Sequence, residues 1–222
     1  GMAISTTDPT AEITVQLNPD STKRWFFTRL TLLGYGDSLA VPILIEEDES
    51  FRLPVRDEEA NTFTYEFSEP QDSFRLRIIQ ADSVPQRFHL RGFLLENEED
   101  GIVYHSIGVN GASVPSYLSC EDFTEELSLI KPDVVIFAIG INDAIPTNFS
   151  EERFVANYDS LISKIEEVSP DCFYIFITNN DSYRKIRRNR RTRYVVNSNG
   201  LKAQNAFKTL AKKHDGAYWD QF

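Results

Sequence analysis

An unbroken apolar run that ends in a polar turn constrains this chain more than any other feature. Residues 134–139 read Val-Val-Ile-Phe-Ala-Ile, and Gly140-Ile141-Asn142-Asp143 follow directly. A run this short and apolar predicts a strand of a parallel sheet that is buried on both faces. Ligands of open α/β sheets bind beyond the carboxyl ends of such strands. The pattern therefore places Asn142 at a ligand-binding edge.

A second stretch repeats this design upstream. Residues 104–108 predict a short strand, which leads into Val109-Asn110-Gly111-Ala112-Ser113. Small and amide-bearing residues at two strand ends could form one oxyanion site. The alternative is that Asn142 and Asp143 only cap the loop before the next helix, as Asn and Asp often do.

Both blocks resemble the SGNH (GDSL-type) hydrolases, which carry a Gly in a strand-to-helix turn and a Gly-x-Asn-Asp block after a later strand. The resemblance covers residues 101–222. It implies that the backbone N–H of Gly111 and the side-chain amide of Asn142 stabilise the oxyanion of an acyl-transfer intermediate. It also implies an ester hydrolase without a metal or other cofactor, and favours a periplasmic or extracellular location.

The family's nucleophile block is harder to locate. A complete member has Gly-Asp-Ser near its start, in front of a helix. Gly36-Asp37-Ser38-Leu39 matches these letters, but Val41-Pro42-Ile43-Leu44-Ile45 follows and predicts a strand. We therefore interpret Ser38 as a turn residue between two strands, and expect the true nucleophile to lie upstream of residue 1.

The family's Asp-x-x-His block is also missing. His89 and His105 lie in strand-like runs and His214 ends a lysine-rich helix, and none follows an Asp by three residues. Residues 217–222 predict the last core strand before such a block. The chain is thus expected to be an internal piece, which contains an inserted sandwich and the second to fifth core strands.

The chain divides into two parts with different patterns of predicted secondary structure. Residues 1–98 contain only short alternating strands with turns between them, which predicts a β-sandwich of jelly-roll type that could bind carbohydrate. Strands and helices alternate in residues 99–222, which predicts a flavodoxin-like α/β domain with a parallel sheet. The helices are expected from Phe123 to Ile130, after the N-cap Ser150, and from Leu201 to Lys213, with Gly216 as a stop signal.

Composition excludes some classes of function. The net charge of −11 argues against general nucleic-acid binding, and no apolar run is long enough to cross a membrane. Cys120 and Cys172 lack the spacing of metal ligands. Nothing in the sequence fixes the oligomeric state.

One basic segment opposes the acidic balance. Seven Lys and Arg residues crowd residues 184–193. Such density predicts a solvated loop, since like charges resist compact packing. The functional alternative is a lid or anion site beside Asn142 that recruits a phosphorylated or carboxylated substrate.

Two classes of function stay open. The first is an ester hydrolase that acts on a small-molecule or glycan acyl ester, for which the sandwich suggests a carbohydrate O-acetyl ester. The second is a non-catalytic carbohydrate-binding protein whose α/β part is a scaffold.

Overall fold

The chain forms two compact units, Gly1–Tyr104 and His105–Phe222. The structure is a computed structural model, and it describes all residues except 1–3, 9, 19–24, 37–39, 81–86, 189–190 and 222. The turn proposed for Ser38 lies outside the described residues. The sequence places the boundary between residues 98 and 99, soon after the last strand of the first unit, which ends at Glu96.

The first unit consists of two antiparallel sheets. One has the strand order β1-β9-β3-β7-β6 and the other β2-β8-β4-β5. Their strands are β1 Ile4–Thr6, β2 Glu12–Gln16, β3 Phe27–Gly36, β4 Ala40–Ile45, β5 Phe51–Arg52, β6 Val55–Asp57, β7 Thr62–Gln71, β8 Ser73–Gln80 and β9 Phe88–Glu96.

One hydrophobic core joins the two sheets. Phe27 of β3 packs edge-on against Phe74 of β8, with ring centroids 5.9 Å apart. Buried Tyr65 of β7 donates a hydrogen bond from its hydroxyl to the Pro42 carbonyl of β4 at 2.8 Å. The alternation of apolar and polar residues has thus turned one face of each sheet inward.

A proline and a glycine, residue types that often interrupt strands, lie inside two long strands of the first unit. Strand β7 continues through Pro70, where the ladder with β3 is irregular and a missing N–H costs little. Strand β3 continues through Gly34, where its register with β9 shifts. A Cβ atom on Gly34 would lie 2.6 Å from the His89 carbonyl oxygen, so glycine permits the close approach of the two strands.

The second unit is a small parallel sheet with helices. Strands β10 Val134–Phe137, β11 Phe173–Ile177 and β14 Ala217–Trp219 pair in the order β10-β11-β14. Strands β12 Tyr183–Arg188 and β13 Arg191–Val196 form a separate pair. The helices are α1 Val114–Leu118, α2 Phe123–Ile130, α3 Ile141–Ala144, α4 Glu151–Glu166 and α5 Asn199–Lys213.

The long helices follow their sequence signals. Ser150 caps α4 and accepts a hydrogen bond from the Arg153 N–H at 3.2 Å. Phe154, Tyr158 and Ile162 of α4 are buried against β10 and β11, as the helical spacing predicts. Helix α2 has the predicted bounds and ends at Lys131 in a left-handed conformation.

Helix α5 ends differently from the expectation for Gly216. Asp215 takes the left-handed conformation, with φ of 48°, and the Gly216 N–H bonds back to the Ala211 carbonyl at 2.9 Å. This is the Schellman arrangement, with Gly216 one position beyond the left-handed residue. Glycine is required there because a Cβ would lie 2.7 Å from the Tyr174 carbonyl oxygen.

The predicted strand at residues 104–108 is absent. These residues form an exposed coil, and β10 pairs with β11 on one edge but with no described strand on the other. A strand needs a neighbour to satisfy its N–H and C=O groups. Without that ladder the apolar pattern alone does not make residues 104–108 a strand.

The arginine-rich segment is not the solvated loop that its charge predicts. It forms a hairpin in which Tyr183 pairs with Val196 and Arg188 pairs with Arg191. Backbone ladder bonds and the β-branched and aromatic residues at its base therefore outweigh the repulsion between like charges.

We expect Gly34→Ala to lower the free energy of unfolding by about 1–3 kcal/mol, because the new methyl group meets a backbone oxygen that cannot move aside. Gly92→Ala in β9 is the matched control, since a Cβ there has nothing within 4 Å. It should be neutral or stabilising by up to about 1 kcal/mol. Urea denaturation of both variants measures this, and equal midpoints would contradict the close-approach argument.

Candidate active site

Two short hydrogen-bonded contacts bring the predicted blocks together. The Asn142 side-chain amide donates to the Ala112 carbonyl at 2.8 Å. The Val114 N–H, at the start of α1, donates to the Asp143 carboxylate at 3.2 Å. The Gly111–Ser113 turn and helix α3 are therefore held side by side.

Glycine allows the chain to enter α3 directly after β10. Gly140 has φ of 130°, and a Cβ there would lie 2.9 Å from the Phe154 ring and 3.1 Å from the Phe207 ring. Buried Tyr158 fixes the preceding residue, because its hydroxyl donates to the Ile139 carbonyl at 2.7 Å. The position of Asn142 thus depends on the packing of α4 and α5 against the sheet.

A cleft of about 390 Å³ opens beside these residues. Its walls include Ser113, Asn142, Pro146, Phe149, Arg153 and Asn157. Asn142 uses one N–H on Ala112, and its second N–H has no hydrogen-bond partner among the described residues. That second N–H is available to a ligand in the cleft.

Gly111 lies in the turn but does not line this cleft. It is exposed and has φ of 81°, a conformation that favours glycine. An exposed coil precedes it, so Gly111 and Asn142 do not end adjacent strands. The turn that contains Gly111 and the helix that contains Asn142 are nevertheless in direct contact, because the Asn142 amide donates to the carbonyl of Ala112.

The half-buried Asp143 carboxylate accepts a hydrogen bond from the start of helix α1. Partial burial raises the pKa of its carboxyl, and the hydrogen bond from Val114 opposes that rise without cancelling it. The alternative interpretation from the sequence is that Asn142 and Asp143 cap the loop before the next helix. The Asp143 carboxylate instead accepts from Val114, the first residue of the earlier helix α1.

Two buried asparagines that the sequence analysis missed hold the far end of α3. Asn197 Nδ2 donates to the Ala144 carbonyl at 2.9 Å, and Asn199 Nδ2 donates to the Ala144 and Pro146 carbonyls at 3.0 and 2.8 Å. Both residues follow the basic hairpin. The only sequence signal was a pair of Asn residues between a strand and a helix.

A third buried asparagine, Asn179, lies next to Gly140. Asn179 follows β11 and is 9% exposed, and its Nδ2 has no hydrogen-bond partner among the described residues. Its Oδ1 would lie 3.2 Å from a Cβ on Gly140. The carboxyl ends of β10 and β11 thus meet at a polar edge.

No serine hydroxyl is hydrogen-bonded to a histidine in the part of the chain that the structure describes. His214 instead bonds to Asp159 at 2.9 Å, at the C-terminal end of α5. His89 lies in β9, as expected for a strand residue, and stacks on Tyr35 of β3. His105 lies in the exposed coil.

Neither a metal-ligating cluster nor a membrane-spanning helix occurs in the described ranges. No three His, Cys, Asp or Glu side chains there are grouped as a metal would require. No helix within those ranges is long and apolar enough to span a membrane.

The chain belongs to the GDSL-like lipase/acylhydrolase family, whose model matches residues 81–222. The match includes the Gly111 turn, the Asn142 helix and the basic hairpin. No curated protein matches the chain.

Solved structures support the same fold. The chain is similar to a structure described as "Peptidoglycan O-acetylesterase in action", with 14% identity and a TM-score of 0.60, over 98% of this chain and 64% of that one. This chain therefore spans less than two thirds of the length of that protein.

Family two carbohydrate esterases also match, more distantly. The enzyme from Cellvibrio japonicus is 12% identical with a TM-score of 0.30, over 99% of this chain and 87% of that one. The enzyme from Clostridium thermocellum in complex with cellohexaose is 12% identical with a TM-score of 0.32, over 97% and 83%.

Asp143 gives a test of stability against pH. Because burial raises its pKa, its ionised form costs stability, and the protein gains stability as pH falls through that raised pKa. The gain is complete below the unfolded-state pKa of about 3.9. Asp143→Asn keeps an acceptor for Val114, so it should remove this pH-dependent component and be at least as stable as wild type at pH 7.

Asp143→Ala is the comparison variant. It loses the acceptor and should cost about 0.5–2 kcal/mol. Denaturant midpoints of the three proteins between about pH 3 and pH 8 measure both effects. If Asp143→Asn and Asp143→Ala destabilise the protein equally at pH 7, the negative charge of Asp143 is what stabilises it, and the acceptor oxygen for Val114 contributes nothing.

Proposed function

We propose that this chain carries the oxyanion-binding part of a serine ester hydrolase. The observation that supports this most is the Asn142 amide, which lies at the cleft with one N–H held by Ala112 and one free of described partners. A donor fixed before reaction stabilises a developing oxyanion without reorganisation.

The two blocks would act together on one acyl group. The free N–H of Asn142 would donate to the carbonyl oxygen as it becomes tetrahedral and negative. The second donor that the family resemblance implies is the backbone N–H of Gly111, which lies in the adjoining turn outside the cleft lining. A serine would attack the carbonyl carbon, and a histidine would take the serine proton and return it to the leaving alcohol.

We further propose that this chain does not itself supply that serine and histidine. Ser113 and Ser150 line the cleft, but Ser113 interacts with Ser116 at 3.2 Å and Ser150 donates to Glu152 at 2.6 Å. His214 is held by Asp159 instead. A catalytic pair would thus have to come from residues outside this arrangement.

The substrate that we propose is a carbohydrate O-acetyl ester. The first unit, with its two sheets around one core, is interpreted as a jelly-roll-like β-sandwich, and the second as a flavodoxin-like α/β domain. Similarity of fold to a peptidoglycan O-acetylesterase supports this substrate class by analogy. The competing function is carbohydrate binding without catalysis, in which the α/β domain serves as a scaffold.

The 222-residue chain should hydrolyse p-nitrophenyl acetate only weakly. An oxyanion site without nucleophile and base retains only residual catalysis. Steady-state assays of the chain and of Ser38→Ala test this. Saturable turnover that disappears in Ser38→Ala would identify Ser38 as the nucleophile and overturn the turn interpretation.

In a form of the protein that contains the nucleophilic serine and the histidine, Asn142→Ala should lower kcat by about a hundredfold to a thousandfold and change KM little. An oxyanion donor acts mainly in the transition state. Michaelis–Menten constants for acetyl-ester hydrolysis measure the effect, and Asn157→Ala in the same cleft serves as a control. A kcat within a few-fold of wild type would make Asn142 a structural residue.

A further inference from the structure

The hairpin of β12 and β13 is a basic element in an acidic chain. Residues 183–196 contain seven Lys and Arg residues and no acidic residue, whereas the whole chain carries a net charge of −11. The hairpin therefore contains no acidic residue of its own that could neutralise its positive charges.

One face of the hairpin combines cations with aromatic rings. The register places Tyr183 opposite Val196, Lys185 opposite Tyr194 and Arg187 opposite Thr192 on the same face. All six side chains are exposed, with Tyr183 at 63% and Tyr194 at 67%. Lys185 and Arg187 form no ion pair with any described residue.

This combination fits an acidic polysaccharide. Lys and Arg bind carboxylates through charge-assisted hydrogen bonds. Exposed tyrosines provide flat apolar surfaces with a polar tip, against which the apolar faces of sugar rings can pack. Six-residue strands extend about 20 Å, so the face is long enough to contact several sugar units of one polymer.

The base of the hairpin is linked by hydrogen bonds to the end of α3 and to Pro146, which lines the cleft, although no described hairpin residue lines it. Asn197, the residue after β13, is held by two hydrogen bonds. Its backbone N–H donates to the Ser182 carbonyl at 2.8 Å, and its side-chain amide donates to the Ala144 carbonyl at 2.9 Å. Ala144 is two residues after Asn142. The cleft itself contains another cation, Arg153, which has no ion-pair partner among the described residues.

We propose that this hairpin face binds the carboxylates and sugar rings of an acidic polysaccharide and so brings its acyl esters to the cleft beside Asn142. The inference deepens the proposed function and rests on it for the ester. Binding by the hairpin can be measured without any hydrolysis.

The test is binding of the 222-residue chain to polygalacturonate, measured by calorimetry at two salt concentrations, with dextran and oligothymidylate as comparison polymers. We expect polygalacturonate to bind and dextran, which has no carboxylates, to bind much more weakly. Oligothymidylate has the same sign of charge as polygalacturonate, so the net charge of the chain disfavours both polymers, and weaker binding of oligothymidylate is the result expected of a face that also packs against sugar rings. Binding should weaken as salt increases, because exposed charges are screened.

Substitutions of the cations and of the tyrosines on the hairpin face test whether polygalacturonate binds there. Lys185→Gln combined with Arg187→Gln should weaken polygalacturonate binding by about tenfold or more and reduce its salt dependence. Tyr183→Ala combined with Tyr194→Ala should weaken it by about fivefold with the salt dependence unchanged. Circular dichroism confirms that each variant is folded, and the single Arg187→Gln variant should give an intermediate loss.

The matched control is Lys164→Gln combined with Lys212→Gln, which removes the same charge. These lysines lie in the last turns of α4 and α5, at the sheet edge opposite the cleft, because each helix runs back from the carboxyl ends of the strands. The control should bind within about twofold of wild type, since only general electrostatics change.

Asn142→Ala should also bind polygalacturonate normally, which separates this inference from the esterase proposal. Absence of polygalacturonate binding, equal weakening in the control and hairpin variants, or tighter binding of oligothymidylate would each overturn the inference. The last result would identify the face as a nucleic-acid surface instead.

Discussion

The candidate site depends on the side-by-side attachment of the Gly111–Ser113 turn to helix α3. Two contacts make that attachment, from Asn142 to the Ala112 carbonyl and from the Val114 N–H to Asp143. A four-residue helix has little stability of its own. Its position is therefore set by hydrogen bonds to its neighbours, and each of those neighbours belongs to a different part of the second unit.

Buried amides supply most of these supports. Asn197 and Asn199 are 3% and 5% exposed, and both use their side-chain N–H groups on carbonyls at the end of α3. A buried polar network that is satisfied in only one arrangement favours that arrangement over its competitors. The residues that follow the hairpin are thus joined by hydrogen bonds to the end of α3, so residues distant in sequence support the helix that carries Asn142.

Local signals in the sequence predicted the elements whose stability is local or simply amphipathic. The N-cap Ser150, the buried face of α4 and the last strand, β14, follow from capping and periodicity alone. Elements that need a partner were not predictable. Residues 104–108 have a strand-like pattern but no adjacent ladder, whereas the basic residues 184–193 gain one from each other. The roles of Asn197 and Asn199 likewise depend on carbonyls more than fifty positions away.

The outer edge of β10 has a consequence for how this chain behaves in solution. Val134 and Ile136 are each 49% exposed there, and no described strand satisfies the main-chain groups of that edge. An apolar, unpaired edge is a template for the addition of another strand and hence for self-association. The net charge of −11 opposes such contacts through mutual repulsion. Colloidal stability of the protein should accordingly decrease as pH approaches its isoelectric point of about 4.8.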